Sequence, residues 1–313
     1  MMQNEKIATR TAYGNTLAKI GSDERIVVMD ADLSKSTMTA EFGKKYPERF
    51  VQMGIAEQDM MSTAAGLAAS GKIVFASTFA MFACGRAWEQ IRNSVCYPSM
   101  NVKVCATHSG VTVGEDGGSH QAVEDIAIMR VIPNMTVIVP SDATYTKWAV
   151  KKACEIDGPV YIRLGRLAVP VIYGPDEEFE IGKGKVLKEG CDVTLMACGL
   201  MVSEALEARD ILESEGIMAE VVDMMAIKPL DEELVLNSAK KTGCIVTCEE
   251  HSTIGGLGGA VCEYLSAALP TPVIRVGLRD CFGKSGKPDE LLSKFKLKAI
   301  DIVEAAKSAI AMK

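Results

Sequence analysis

Histidine is scarce in this chain: His108, His120 and His251 are the only three among 313 residues. The ten cysteines are scattered through apolar contexts such as Val95-Cys96 and Val104-Cys105, and none belongs to a Cys-x-x-Cys pair. Cys244 and Cys248 have no neighbouring Cys or His pair to complete a tetrahedral zinc site, which argues against a metal cage. Cysteine used as a small buried hydrophobe suggests a reducing, cytoplasmic setting. Basic surplus is missing as well. The 34 Lys and Arg against 41 Asp and Glu leave a net charge of −7, which disfavours a nucleic-acid binder but not a local cationic pocket for one small anion. The longest apolar stretch, residues 73–85, lies between Lys72 and Arg86 and falls short of the about 20 residues that cross a bilayer. The N-terminus, MMQNEKIATRTAYG, lacks the apolar core of a signal peptide. A soluble protein with no membrane contact is expected.

Apolar residues make up 48% and charged residues 24%, an ordinary globular balance, and the length suggests two domains. Short β-branched runs alternate with longer amphipathic segments, the pattern of parallel α/β architecture. Helices are expected over residues 9–20, 56–69 and about 81–95. Strands are expected over 25–30, 73–77, 101–106, 137–140 and 160–163, with loops at 31–37 and 108–119. Residues 169–180 carry two prolines, a glycine and an acidic cluster and read as a seam. Beyond it, strands over 192–198, 219–223, 244–248 and 273–276 alternate with helices over 202–214, 230–240 and 258–269. The expected fold is α/β with two doubly wound, mainly parallel sheets, in domains 1–172 and 185–313.

Four groups of residues could carry chemistry. Glu57, in Gly54-Ile-Ala-Glu-Gln58, sits among Ile55, Met60, Met61 and Ala64; apolar burial would keep such a carboxyl protonated and ready to donate. Composition alone favours the plainer reading, a solvated helix face shared with Gln58 and Asp59. Phe79 and Phe82, three apart after a strand, could sandwich a flat heteroaromatic ligand, although core packing is the default. The 107–120 segment combines four glycines, His108, His120 and the Glu115-Asp116 pair. Packing alone explains such a loop poorly, and function is favoured there. Arg10, Ser36 and Arg166, each ordinary alone, could together clamp an anion. By contrast, Gly255-Gly-Leu-Gly-Gly-Ala260 lacks the third glycine of a dinucleotide fingerprint and reads as a tight strand–helix turn.

These pieces in this order resemble the C-terminal half of transketolase. The likeness runs over nearly the whole chain, through IATRTAYG, DADLSKST, GIAEQDM, ASTFAMF, THSGVTVGEDGGSHQ, PNMTVIVPSD, YIRLGR, KPLD and EEHSTIGGLGGAV. It implies a pyrimidine-binding domain followed by a transketolase C-terminal domain. It assigns Glu57 to the glutamate that hydrogen-bonds the aminopyrimidine of thiamine diphosphate and activates the cofactor, and Phe79 and Phe82 to the pyrimidine pocket. A third aromatic wall found in some members is Gly85 here. His108, Asp116 and His120 correspond to contacts with sugar hydroxyls or to proton transfer. Arg10, Ser36, His108 and Arg166 correspond to the grip on the sugar phosphate.

The resemblance also implies a missing half. Full-length transketolases carry a preceding domain whose GDG…N motif binds magnesium and the cofactor diphosphate, and this sequence has no such motif and begins where that domain would end. A separate N-terminal subunit is therefore expected to supply Mg2+ and the diphosphate site, with no metal ligands on this chain, in an α2β2 heterotetramer. The implied activity is transfer of a two-carbon ketol unit from a ketose, phosphorylated or carrying another tetrahedral anion such as a sulfonate, to an aldose acceptor, in pentose phosphate flow or a dedicated catabolic pathway of carbohydrate metabolism. Alternatives are the beta subunit of a 2-oxo acid dehydrogenase decarboxylase, a deoxyxylulose-phosphate-synthase-like enzyme, and a non-catalytic assembly or regulatory subunit.

Overall fold

In the structure, a computed structural model that describes residues 3–313, four apolar runs are buried along their whole length: Ile26–Asp30, Ile73–Phe79, Val102–Thr107 and Val160–Arg163. A parallel sheet covered on both faces gives that environment. The four are neighbours in a seven-stranded sheet ordered Ala226–Lys228, Thr136–Ile138, Val160–Arg163, Val102–Thr107, Ile73–Phe79, Ile26–Asp30, Phe50–Gln52. Every pair is parallel except Ala226–Lys228 with Thr136–Ile138. Alternate residues take opposite faces. Ile26, Val28 and Phe75 share a core with Tyr13, Leu17, Tyr145 and Val150 of the helices Thr9–Ile20 and Ala143–Ala153. Val27, Met29, Val74 and Ala76 share another with Met60, Met61 and Ala64 of the helix Glu57–Ala69. Each buried Val, Leu, Ile, Phe or Met among them contributes about 1.5–3 kcal/mol relative to exposure.

A five-stranded sheet follows, ordered Val273–Leu278, Ile245–Ser252, Val193–Ala197, Ala219–Asp223, Lys185–Lys188, and antiparallel only at the last pair. Helices Met201–Ser214 and Ala299–Ile310 pack on one face. From the other, Val235, Leu257 and Val261 join the core that also holds Met60 and Val104 of the first unit. The α/β class with two doubly wound sheets is borne out. The second half of the chain also lends Ala226–Lys228 to the first sheet as an edge strand, and Gln3–Ala8 pairs with Ala168–Val171 as a separate ribbon.

Two expected elements differ. Residues 81–95 form two π-helical turns, Met81–Arg86 and Ile91–Cys96, around the short turn Trp88–Gln90. Glycine at position 85 is a poor helix former, and the Met81 methyl lies so close that a Cβ there would come within 2.4 Å of it. Inside the expected loop 31–37, Ser34–Thr37 makes a helical turn. Buried Asp30 fastens it, accepting from the Leu33 N–H at 2.6 Å and from the hydroxyls of Thr37 (2.6 Å) and Thr39 (2.8 Å). Among the described residues no helix is long and apolar enough to cross a membrane.

Candidate active site

Open parallel sheets bind ligands beyond the C-terminal ends of their strands, and those ends gather the residues expected from the sequence. Phe79 ends Ile73–Phe79, and His108 directly follows Val102–Thr107. Ser36 and Arg166 lie beyond Ile26–Asp30 and Val160–Arg163, while Arg10 sits in the first turn of Thr9–Ile20. Glu57 opens the helix Glu57–Ala69.

Glu57 is 1% exposed, whereas Gln58 and Asp59 face solvent. The solvated-face reading of this carboxylate is thereby overturned. Its Oε2 accepts from Arg86 Nη1 at 2.8 Å, and the Arg86 guanidinium also lies over the Phe82 ring, with Cζ 4.8 Å from the centroid. That is within the about 6 Å reach of a cation–π contact. Sequence reasoning missed Arg86. Its one signal was a cation four residues after Phe82, a spacing that places both on one helical face.

Phe79 and Phe82 do come together, but not as a sandwich. Their centroids are 5.9 Å apart with planes 15° from parallel, inside the about 4.5–7 Å range of directly interacting rings. No third ring fits between them, so they form a continuous wall. His108 lies face-on over Phe79, with centroids 3.9 Å apart, and His120 and Phe82 meet edge to face at 5.3 Å. Where the resemblance leaves Gly85 for an aromatic, the Met81 methyl fills the space.

His108 sits at φ 56°, a left-handed conformation uncommon outside glycine and characteristic of functional sites when a fold enforces it. Its Nε2 lies 3.2 Å from Arg10 Nη1. Arginine only donates, so Nε2 accepts and the ring proton resides on Nδ1, which faces Thr107 Oγ1 at 2.9 Å. Burial, then the charges of Arg10 and Arg166, push the imidazole down to about 3. It is a neutral ring at physiological pH.

Arg10 is steadied by the Ser36 carbonyl, to which Nη1 donates at 2.8 Å, while its Nε is buried without a partner. Burial and the nearby Arg166 lower its pKa, so two cations share this corner. Arg166 donates to the Val113 carbonyl and lies 3.7 Å from the Asp116 carboxylate and 4.0 Å from Glu115. Ser36 thus contributes its main chain, and Asp116 pairs with Arg166.

The second unit braces the 107–120 loop. Glu250 Oε1 accepts from the Thr112 N–H at 2.6 Å, and burial pushes the Glu250 carboxyl up to about 7. Gly110 permits this approach: at φ +76° a Cβ there would meet the Glu250 carboxyl group at 2.2–2.4 Å. Arg163, buried, donates to Asp125 Oδ2 at 2.7 Å and to the Glu250 carbonyl at 2.9 Å. Glu249 accepts from the Leu257 and Gly258 N–H groups (2.7 and 2.9 Å) at the start of the helix Leu257–Ala268. The glycine-rich turn at 255–259 is therefore filled by the protein's own carboxylate. The only hint in sequence was Glu249-Glu250-His251 inside an apolar strand. No group of three or more His, Cys, Asp or Glu among the described residues is placed to hold a metal ion.

A buried carboxylate beside two phenylalanines, with a paired-arginine corner on the same sheet edge, sits where open α/β sheets bind ligands. Residues 5–171 match the transketolase pyrimidine binding domain and residues 182–302 the transketolase C-terminal domain. The chain belongs to the transketolase family. A Methanocaldococcus jannaschii protein whose name carries the words "transketolase C-terminal section" is 55% identical over 92% of each chain. The 6-deoxy-6-sulfo-D-fructose transketolase subunit SqwH of Clostridium sp. is 47% identical over 91% of this chain and 88% of the relative. A solved structure described as a split gene transketolase, inactive beta4 tetramer, superposes with TM-score 0.92 at 58% identity, covering 98% of this chain and 99% of that one.

Proposed function

We propose that this chain is the C-terminal subunit of a two-component, thiamine-diphosphate-dependent transketolase that moves a two-carbon ketol unit from an anionic ketose to an aldose. The observation that carries the reading is Glu57, 1% exposed beside the Phe79–Phe82 wall. That geometry suits a flat ring whose edge nitrogen meets a carboxylate. The cofactor, when bound, supplies the nucleophilic carbon that attacks the ketose carbonyl. Glu57 shares a proton with the pyrimidine edge, and Phe79 and Phe82 exclude water from its face. Neutral His108, with Nε2 on Arg10 and Nδ1 on Thr107, sets Arg10 against the anionic end of the sugar, His120 moves a proton at the reacting end, and Asp116 holds a hydroxyl. Arg10, steadied by Ser36, and Arg166 grip the phosphate.

Mg2+ and the diphosphate are assigned to an N-terminal partner in an α2β2 assembly. This rests on relatives named as a subunit or a split gene product, of which the match covers 88% and 99% of their own length. All ten cysteines are free, in keeping with a cytoplasmic setting. Domains at about 1–172 and 185–313 complete the reading. The test is reconstitution with an N-terminal subunit carrying GDG…N, thiamine diphosphate and Mg2+, offered a ketose phosphate or pyruvate. Ketol transfer by the pair, and not by this chain alone, is expected. Full transfer by the chain alone, or turnover of pyruvate in preference, would contradict it.

A further inference from the structure

Arg86 occupies the place that the proposed site reserves for a ring. Its guanidinium donates to Glu57 Oε2 at 2.8 Å and lies over Phe82 at 4.8 Å. A flat, delocalised cation with an N–H at its edge is thus held by a carboxylate on one side and a π face below. An aminopyrimidine would use the same two contacts, edge nitrogen to carboxylate and ring face to phenyl. The two ligands compete. Arg86 is the only hydrogen-bond partner of the Glu57 carboxylate among the described residues, and the Glu57 side chain is 1% exposed, with no second open side.

Arg86 is also built to leave. Its side chain is 48% exposed and Glu57 is its one acidic partner among the described residues. It closes the π-helical turn Met81–Arg86, and glycine at position 85 puts no side chain in the path of its backbone. The pair has a physical purpose, because a carboxylate buried without a counter-charge is strongly unfavourable. We propose that Arg86 is the resident occupant of the pyrimidine subsite. In the unloaded protein its guanidinium neutralises Glu57 and covers Phe82, and the cofactor's aminopyrimidine displaces it. The proposal rests on reading Glu57, Phe79 and Phe82 as cofactor contacts.

Calorimetric titration of thiamine diphosphate, with Mg2+, into the complex assembled with the N-terminal subunit tests it. Wild type is compared with Arg86→Met and Arg86→Lys. A subsite occupied by its own side chain raises the apparent dissociation constant by the fraction of sites left open. Arg86→Met is therefore expected to bind about ten-fold more tightly. Arg86→Lys keeps the charge on Glu57 but not the flat face; it falls between the two and controls for loss of folding. Added salt weakens the ion pair, so wild-type affinity gains relative to that of Arg86→Met. Equal or weaker binding by Arg86→Met, with no differential salt effect, overturns the exchange. Absence of binding by wild type and both variants overturns the cofactor reading itself, a separate outcome.

Discussion

His108 allows a quantitative test of the site's electrostatics. Its folded pKa of about 3 against an ordinary 6.5 corresponds to about 5 kcal/mol disfavouring the charged ring, at 1.36 kcal/mol per pH unit. Burial comes first among the causes, the Arg10 guanidinium at 3.2 Å second. A base whose folded pKa is depressed favours the fold above its unfolded pKa. That contribution is lost as pH falls from 6.5 toward 3. Arg10→Met removes the second cause and leaves the first, so the midpoint should rise by about 1–2 pH units while remaining below the ordinary value. With three histidines in the chain, long-range 15N–1H correlation of labelled imidazoles resolves each ring. Wild-type His108 should show the Nδ1-protonated tautomer without change from about pH 4.5 to 8, while an exposed ring would titrate in that interval. A wild-type midpoint near 6.5, or a proton on Nε2, would refute both the burial argument and the donor assignment of Arg10.

Other consequences are open to simpler assays. Burial holds the Glu250 carboxyl at about 7 against an ordinary 4.5, so its stabilising effect is complete below 4.5 and fades as pH rises through 7. The span is about 3 kcal/mol as an upper bound. Buried Asp223, also pushed up to about 7, acts with the same sign. Glu250→Gln should accordingly remove this group's share of the stability decline, making stability by urea unfolding fall less as pH rises from about 5 to 8, and an unaltered slope would count against it. Gly110→Ala drives a Cβ into the Glu250 carboxyl group at positive φ and should lower stability by about 2–3 kcal/mol. Gly66→Ala, on an open face of the helix Glu57–Ala69 with nothing within 4 Å, should instead raise it by about 0.5–1 kcal/mol. Thermal melts that fail to separate the two would remove the case for a close approach at Gly110.

The sheet-forming runs and the helices at residues 9–20 and 57–69 were legible because burial repeats at regular spacing within each segment. Phe79, His108 and Arg166 were legible for a related reason, since each lies at or just past the end of an apolar strand. Arg86 was not, because its meaning depends on Glu57, 29 positions away in sequence. Glu250 reaches Thr112 across 138 positions, and no periodicity encodes such a pairing. The segment 81–96 misled for another reason: its apolar residues fit a helix of some kind, and the π-helical ladder that forms there is rare enough that sequence defaults to an α-helix. Edge strands such as Ala226–Lys228 are short, and the sheet they join is chosen by packing between the two units.

Exchange of the cofactor's thiazolium C2 proton with solvent deuterium, followed in the complex assembled with the N-terminal subunit, bears most directly on the role given to Glu57. With wild type the exchange should be fast, and with Glu57→Gln, which keeps the shape but not the proton transfer, it should slow by about 100-fold or more. Equal exchange rates in two fully assembled, cofactor-loaded complexes would contradict the assignment of this chain as the half that activates the cofactor.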